Sequence, residues 1–189
     1  MNKINITILS DIHLESNNFN EIHAKADWAF ICGDIGDPFS KKYSKFIDDI
    51  SKTYLHIFII AGNHEYHQLK FHKREKTFKH MYSIEEVNSK IESVCNNYSN
   101  VYYMNKRVIE INNIRIIGCT LWSNCNDDTI CDITNIKNFS NEKYREIHVD
   151  HKKFLEDNLN DKTKTTIVVT HHMPSYQLID QKFKKSPIN

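Results

Sequence analysis

The chain has 189 residues, of which 40% are hydrophobic, so it is long enough for one domain with a core and too short for two ordinary domains. Its net charge of +1 gives no overall field that would require a nucleic acid or an anionic membrane as partner. No apolar stretch approaches the roughly 20 residues that span a bilayer, no signal-peptide pattern opens the chain, and five cysteines without a C-x-x-C pair favour reduced thiols. We therefore expect a single cytoplasmic domain over residues 1–189, without a membrane partner.

Short apolar runs rich in β-branched and aromatic residues predict buried parallel strands at residues 4–9, 28–32, 55–60 and 165–169. Apolar residues at helical spacing predict three helices that cover the sheet. These helices span residues 39–50 with Pro38 in the first turn, 84–98 after a capping box of Ser83 and Glu86, and 141–159 with Leu159 on the inward face. The sequence thus alternates strands and helices, as in α/β proteins.

A different pattern follows residue 101, where strand-like runs come close together. The runs cover residues 101–104, 107–111 and 114–118, and the last two are joined at the turn-prone pair Asn112-Asn113. We expect them to form a second, mainly antiparallel sheet.

Four short motifs stand at the ends of the four predicted parallel strands. They are Asp11-x-His13, Gly33-Asp34-x-x-Asp37, Gly62-Asn63-His64-Glu65 and Thr170-His171-His172. The first three are spaced close to the roughly 30 residues of one βαβ unit, which places them on successive strands. Because ligands bind at the carboxyl edge of such sheets, the four motifs predict one site, and their residue types indicate a two-metal phosphoesterase site.

The residue types suggest how the site would be divided. Asp11 and His13 alternate along a strand end, so both can face one ion while the residue between them turns away. Asp34 is the natural bridge between two ions, and Asn63 offers an amide oxygen to the second. Either His171 or His172 completes that side, and the position directly after the strand favours His171. Mixed oxygen and imidazole ligands suit two divalent ions of Mn, Fe or Zn, and we expect Mn.

In their order, the motifs resemble the calcineurin-like metallophosphoesterase superfamily. The resemblance extends to residues 114–123, Ile-Arg-Ile-Ile-Gly-Cys-Thr-Leu-Trp-Ser, and to residues 171–175, His-His-Met-Pro-Ser, which are similar to a microbial and viral branch of phosphohydrolases. It implies a four-layer α/β/β/α sandwich. Members carry a later Gly-His-x-His motif, whereas this sequence stops at Asn189. We therefore expect a C-terminally incomplete domain that lacks the last strands of the second sheet.

The resemblance also implies roles for individual residues. The metal ligands would be Asp11, His13 and Asp34 for the first ion, and Asp34, Asn63 and His171 for the second. His64 would face substrate and protonate the leaving oxygen, and Asp37 would orient it or another ligand. His172 would contact phosphate.

The implied activity is hydrolysis of a phosphomonoester or phosphodiester by a metal-bridging hydroxide, with nucleotides and nucleic acids among the candidate substrates. The alternative is an impaired remnant of the fold that acts as a binding module. An uncovered strand edge at the incomplete end would favour self-association.

Other charged residues have simpler interpretations. The basic residues Lys70, Lys73, Arg74, Lys76 and Lys79 predict a solvated helix face, or alternatively a cationic flap over the site. Glu65 would either orient another group or be exposed in its loop. His67 is expected to be structural, and His148 and His151 to serve packing or surface rather than a metal.

Overall fold

The computed structural model describes residues 3–16, 26–67, 82–124, 130–161 and 163–183. The basic segment at residues 70–79 lies outside these ranges. A parallel sheet occupies the first half of the chain, in the order β1-β2-β3-β4. Its strands are β1 (Ile6–Leu9), β2 (Trp28–Cys32), β3 (His56–Ile60) and β4 (Val101–Tyr103). The first three motifs therefore follow three adjacent parallel strands, as the spacing predicted.

One strand was assigned to the wrong sheet from the sequence. β4 pairs in parallel with β3, with Ile57 opposite Val101, and does not belong to the second sheet. A helix separates β3 from β4 and provides the long crossover that parallel pairing needs. The chain passes to the second sheet only after β4, at a tight turn in which Lys106 has a positive φ of 49°.

The second sheet has the order β5-β6-β7. Its strands are β5 (Arg107–Ile111), β6 (Ile114–Cys119) and β7 (Thr165–Thr170). β5 and β6 are antiparallel, and their two turn residues Asn112 and Asn113 have φ values of 49° and 66°, as a two-residue hairpin of type I′ requires. β7 pairs in parallel with β6, so this sheet combines both kinds of pairing. The fourth motif thus follows a strand of the second sheet rather than of the first.

Helices α1 (Lys41–Ser51), α2 (Ile84–Cys95), α3 (Cys131–Asn135) and α4 (Asn141–Asn158) complete the fold. The capping box of Ser83 and Glu86 is present at α2. α1 begins later than predicted, because Ser40 is its N-cap and Pro38 lies before the helix. Leu159 follows the end of α4 and is 44% exposed, so its assignment to the inward face was wrong.

Three apolar clusters separate four layers. The first lies between α1 and α2 and one face of the parallel sheet, where Ala29, Ile31, Ile57 and Ile59 point. Alternate residues on the opposite face pack against the second sheet. The third cluster joins the outer face of the second sheet to α4 through Cys119 and Leu155. This arrangement is the expected α/β/β/α sandwich.

The edge strand β1 is less buried than predicted. Ile6 and Ile8 are 42% and 70% exposed. They lie on the same face as Trp28 and Phe30 of the neighbouring strand, and that face is the one that meets the second sheet. The described strands of the second sheet do not extend over β1, so its inter-sheet face meets solvent. None of the helices in the described ranges is both long and apolar enough to cross a membrane.

Candidate metal centre

The first motif reaches the site through backbone turns rather than through strand alternation. Asp11 and His13 follow the end of β1 and have positive φ values of 55° and 50°. Their N–H groups donate to Gly33 O at 3.1 Å and to Asp34 O at 2.9 Å, so this loop runs along the loop after β2. Asp34 itself has a φ of 55°. Three predicted ligands thus occupy a strained backbone region, which is common where function requires a special geometry.

Glycine allows the loops after β2 and β3 to approach closely. A Cβ on Gly62 would lie 2.2 Å from Asp34 Oδ1 and 2.7 Å from His171 Cε1. A Cβ on Gly33, whose φ is 92°, would lie 2.5 Å from Gly62 N. Neither position has room for a side chain, so the two glycines are needed to bring Asp34 and His171 together.

Glu65 joins the same two loops from inside the protein. Of the two alternatives predicted for Glu65, exposure in its loop was wrong, because this residue is 2% exposed. Its carboxylate accepts hydrogen bonds from the N–H groups of Gly62 at 2.7 Å, Asp34 at 3.0 Å and Ile35 at 2.6 Å. Burial and the charge of Asp34 raise the pKa of Glu65 to about 7 although the backbone donors oppose this. Glu65 therefore holds the loop after β2 against the loop after β3.

Asp34 lies between two groups of candidate ligands. Its Oδ2 is 3.8 Å from His13 Nε2, and Asp11, His13 and Asp34 have ligand atoms within 4.8 Å of one another. Its Oδ1 is 3.6 Å from His171 Nε2 and also accepts from the N–H of His64 at 2.9 Å. Each carboxylate oxygen thus faces a different side of the site, as a bridging ligand would.

On the second side of the site, formed by Asp34 Oδ1, Asn63 and His171, the acceptor atoms face a common point. His171 donates its Nδ1–H to Cys32 O at 2.7 Å, so in a neutral ring Nε2 carries a lone pair. This Nε2 lies 3.2 Å from Asn63 Oδ1. Two acceptors at that distance, with Asp34 Oδ1 beside them, have no proton to share. A cation would relieve the repulsion, and oxygen with imidazole nitrogen is a donor set that divalent transition metals accept.

On the first side of the site, formed by Asp11, His13 and Asp34 Oδ2, a hydrogen bond again orients the histidine ring. His13 Nδ1 is 2.9 Å from Glu15 Oε1, and because a carboxylate only accepts, Nδ1 carries the proton and Nε2 faces Asp34. Burial lowers the pKa of His13, but the hydrogen bond to Glu15 and the charges of Asp34, Glu15 and Asp11 outweigh it and raise the pKa above its ordinary value. Glu15 was not among the residues predicted for the site.

His64 lies beside the first side of the site. Its ring meets that of His13 edge to face with centroids 4.6 Å apart, and the ring of His67 is 4.4 Å away on another side. Burial lowers the pKa of His64, and the charge of Asp34 opposes this only in part. A partly buried imidazole next to the candidate ligands is suited to meet a bound substrate.

The rings of His171 and His172 touch edge to face with centroids 5.1 Å apart, but their other surroundings differ. The ring of His172 stacks on Trp122 with centroids 5.6 Å apart and meets Tyr144 edge to face. Burial lowers its pKa to about 3, and its Nε2 has no hydrogen-bond partner among the described residues. A neutral ring packed behind the site does not support the predicted phosphate contact of His172.

Asp37 lies in the turn before α1. Its Oδ1 accepts from Phe39 N at 2.9 Å, and its carbonyl accepts from Ser40 N. The side chain therefore shapes the turn that starts the helix. Its predicted role in orienting a catalytic group stays a prediction.

Two further sets of residues could not be identified from the sequence. Asp132, 69 positions from Asn63, accepts from Asn63 Nδ2 at 2.9 Å and from His67 Nε2 at 2.5 Å. On α4, His151 accepts from Leu121 N and His148 donates to Trp122 O, so both hold the loop after β6. No local pattern marks these contacts.

Comparison with known proteins agrees with the motifs and the fold. Among curated proteins, the uncharacterized protein L509 of Acanthamoeba polyphaga mimivirus is 33% identical over 161 residues, which cover 77% of this chain and 55% of that protein. The chain thus spans about half the length of that relative. One crystal structure aligns with this chain with a TM-score of 0.55 at 9% identity. The alignment covers 93% of this chain and 72% of the other chain, and at this identity it shows the fold alone. The sequence matches the calcineurin-like phosphoesterase family over residues 4–186, and the chain therefore belongs to that family.

Proposed function

We propose that the chain hydrolyses a phosphomonoester or phosphodiester at a dinuclear centre of two divalent ions. Membership of the calcineurin-like phosphoesterase family supports a metal-dependent phosphoester hydrolase. The observation that carries the dinuclear proposal is Asp34, whose two carboxylate oxygens face His13 on one side and His171 on the other.

Each side would hold one ion. Asp11, His13 and Asp34 would bind the first, and Asp34, Asn63 and His171 the second. Divalent ions in these positions would supply Lewis acidity, which polarises a phosphoryl oxygen and acidifies a water molecule. Mn remains our preferred ion, with Fe or Zn as alternatives, because the ligands mix oxygen and imidazole nitrogen without thiolate.

The protein's own groups would position the substrate. The partly buried ring of His64 lies beside His13, where it can hydrogen-bond to the leaving oxygen or give it a proton. Glu65 would keep the two ligand-bearing loops at a fixed separation, since its carboxylate is bonded to the backbone of both. The substrate would thus meet a site whose ligands are already in place.

Metal content and turnover test the proposal together. The purified chain is loaded with Mn and analysed for metal, and hydrolysis of bis-p-nitrophenyl phosphate and of p-nitrophenyl phosphate is followed in the same samples. Asp34→Asn should lose metal and turnover, whereas His64→Ala should keep metal and lose turnover. His56→Gln is the matched control, because His56 lies at the opposite end of β3.

Two equivalents of Mn per chain, with turnover that depends on Asp34 and His64, would support the proposal. One equivalent or none, with no turnover above the variants, would refute it. That result would leave the alternative, in which the same fold serves as a binding module.

A further inference from the structure

Asp132 is a buried carboxylate that contacts the candidate metal centre without being one of the predicted ligands. It lies in the first turn of the short helix α3 and is 2% exposed. Its Oδ1 accepts from Asn63 Nδ2 at 2.9 Å and from His67 Nε2 at 2.5 Å. Burial raises its pKa, but the hydrogen bonds from His67 and Asn63 outweigh this, and the pKa lies below its ordinary value.

The chemistry of this contact fixes which end of the Asn63 amide faces the site. An asparagine side chain can turn over and exchange its oxygen for its nitrogen at little cost, and only its hydrogen-bond partners decide between the two. An ionised carboxylate has acceptors alone, so Asn63 must present Nδ2 to Asp132. The opposite atom, Oδ1, then lies 3.2 Å from His171 Nε2. Turned the other way, the amide would offer N–H groups where a cation needs lone pairs.

The same oxygen of Asp132 also holds His67. Its acceptance from Nε2 fixes the ring of His67, whose centroid lies 4.4 Å from that of His64. One carboxylate therefore connects a candidate ligand to the group next to the proposed catalytic histidine. Removal of that carboxylate would release both side chains at once.

We propose that Asp132 is a positioning residue that sets the Asn63 amide with its oxygen toward the second ion and holds His67 beside His64. The consequence for metal binding rests on the proposed function. The orientation of the amide is a property of the metal-free protein and can be measured without any ion.

Two simpler roles compete with this one. Asp132 could act through its negative charge on a nearby cation, or it could only stabilise α3. Asp132→Asn removes the charge and keeps an oxygen that accepts from Asn63, whereas Asp132→Leu removes the acceptor and keeps a side chain that branches at Cγ. Thr134→Val, which removes a hydroxyl that bonds to Cys131 O inside α3, tests the helix alone.

The experiment compares the wild-type chain with these three variants in two assays. Proton exchange of the Asn63 side-chain amide is measured by ¹⁵N NMR in the metal-free protein, and Mn affinity by equilibrium dialysis. Asp132→Leu should speed proton exchange of the Asn63 amide by about tenfold or more. It should weaken the binding of one Mn ion by roughly 10- to 100-fold, the usual effect of losing a group that orients a ligand. Asp132→Asn and Thr134→Val should stay close to wild type in both.

Unchanged exchange and affinity in Asp132→Leu would overturn the inference, and equal losses in Asp132→Asn and Asp132→Leu would assign the effect to charge instead. If Asp132→Leu does not fold, Asp132→Ala, which leaves room for water, takes its place. A wild-type chain that binds no Mn would refute the proposed function, whereas the amide exchange would still decide whether Asp132 orients Asn63.

Discussion

Replacing His151 should remove one part of the chain's sensitivity to mild acid, separate from that of the other buried histidines. This residue lies on α4, is 5% exposed, and accepts a hydrogen bond from the N–H of Leu121 at 3.0 Å. Burial lowers the pKa of His151 to about 4, while the charge of Asp150 opposes this and Lys106 and His148 add to it. The ring is therefore held neutral, and protonation would both bury a charge and remove the acceptor for Leu121.

The sign follows from comparing the two states. In the folded chain the pKa of His151 is about 4, below the ordinary histidine value of about 6.5, so the unfolded chain takes up the proton first as the pH falls. The stability that the neutral His151 ring contributes is fully present above pH 6.5 and is lost between pH 6.5 and 4. From these two pKa values, the free energy of unfolding falls by about 2–3 kcal/mol between pH 7.5 and 4.5 through His151.

Urea unfolding followed by tryptophan fluorescence measures this. The wild-type chain and His151→Gln are unfolded at several pH values between 7.5 and 4.5, and the quantity compared is the change in unfolding free energy with pH. We expect His151→Gln to be less stable at pH 7.5, since it loses a packed ring, and its free energy of unfolding to fall by about 2–3 kcal/mol less on acidification. Lys152→Gln, on the exposed face of the same helix, is the control and should follow the wild type. Parallel curves for wild type and His151→Gln would refute the reasoning.

Two further predictions concern the site itself. Gly62→Ala should abolish tight Mn binding and lower the free energy of unfolding by about 1–3 kcal/mol, because the new Cβ would lie 2.2 Å from Asp34 Oδ1. Equilibrium dialysis measures the Mn affinity and urea unfolding the stability, and a variant with wild-type Mn affinity would contradict the prediction. Glu15→Leu should weaken the binding of one Mn ion by roughly tenfold. It should not lower the melting temperature, since the half-exposed Glu15 orients His13 but packs little. Glu15→Gln, which keeps an acceptor, is the control, and equal Mn affinity in wild type and Glu15→Leu would rule out the orienting role.

The strands and the placement of the motifs could be predicted because both depend on local signals. Short β-branched runs such as residues 28–32 have few alternatives to a buried strand. The chain length between motifs fits one crossover, so three motifs had to follow neighbouring strands. The hairpin at Asn112-Asn113 was equally local, since few residues other than glycine tolerate two successive positive φ values.

The assignment of strands to sheets was less predictable. Nothing in residues 101–103 states whether the strand will pair with β3 or with β5, because both neighbours offer the same backbone hydrogen bonds. The sheet that this strand joins depends on α2, because the packing of α2 brings the chain back beside β3 of the first sheet. The exposure of Ile8 has the same origin, since a strand's own sequence does not say how far the opposite sheet extends.

The residues missed at the site share a physical cause. Glu65 and Asp132 accept hydrogen bonds from groups that other loops bring to them, over separations of up to 69 positions, and Glu15 accepts from His13 in its own loop. A sequence motif shows the presence of a carboxylate but not what it faces. For this reason the sequence could not decide whether Glu65 is exposed or orients another group, and the structure places it among the most buried charged residues described.

These accepting carboxylates also explain how a strained site can persist. Asp11, His13 and Asp34 adopt left-handed backbone conformations that cost free energy wherever the residue is not glycine. The loop after β2, which carries Asp34, is bonded on one side to the loop after β1 and on the other to the carboxylate of Glu65. Because these contacts join protein groups to protein groups, the fold itself can offset the strain. If these residues bind a metal as proposed, the contacts between the loops would limit the rearrangement that binding requires, and less of the binding free energy would be spent on ordering the loops.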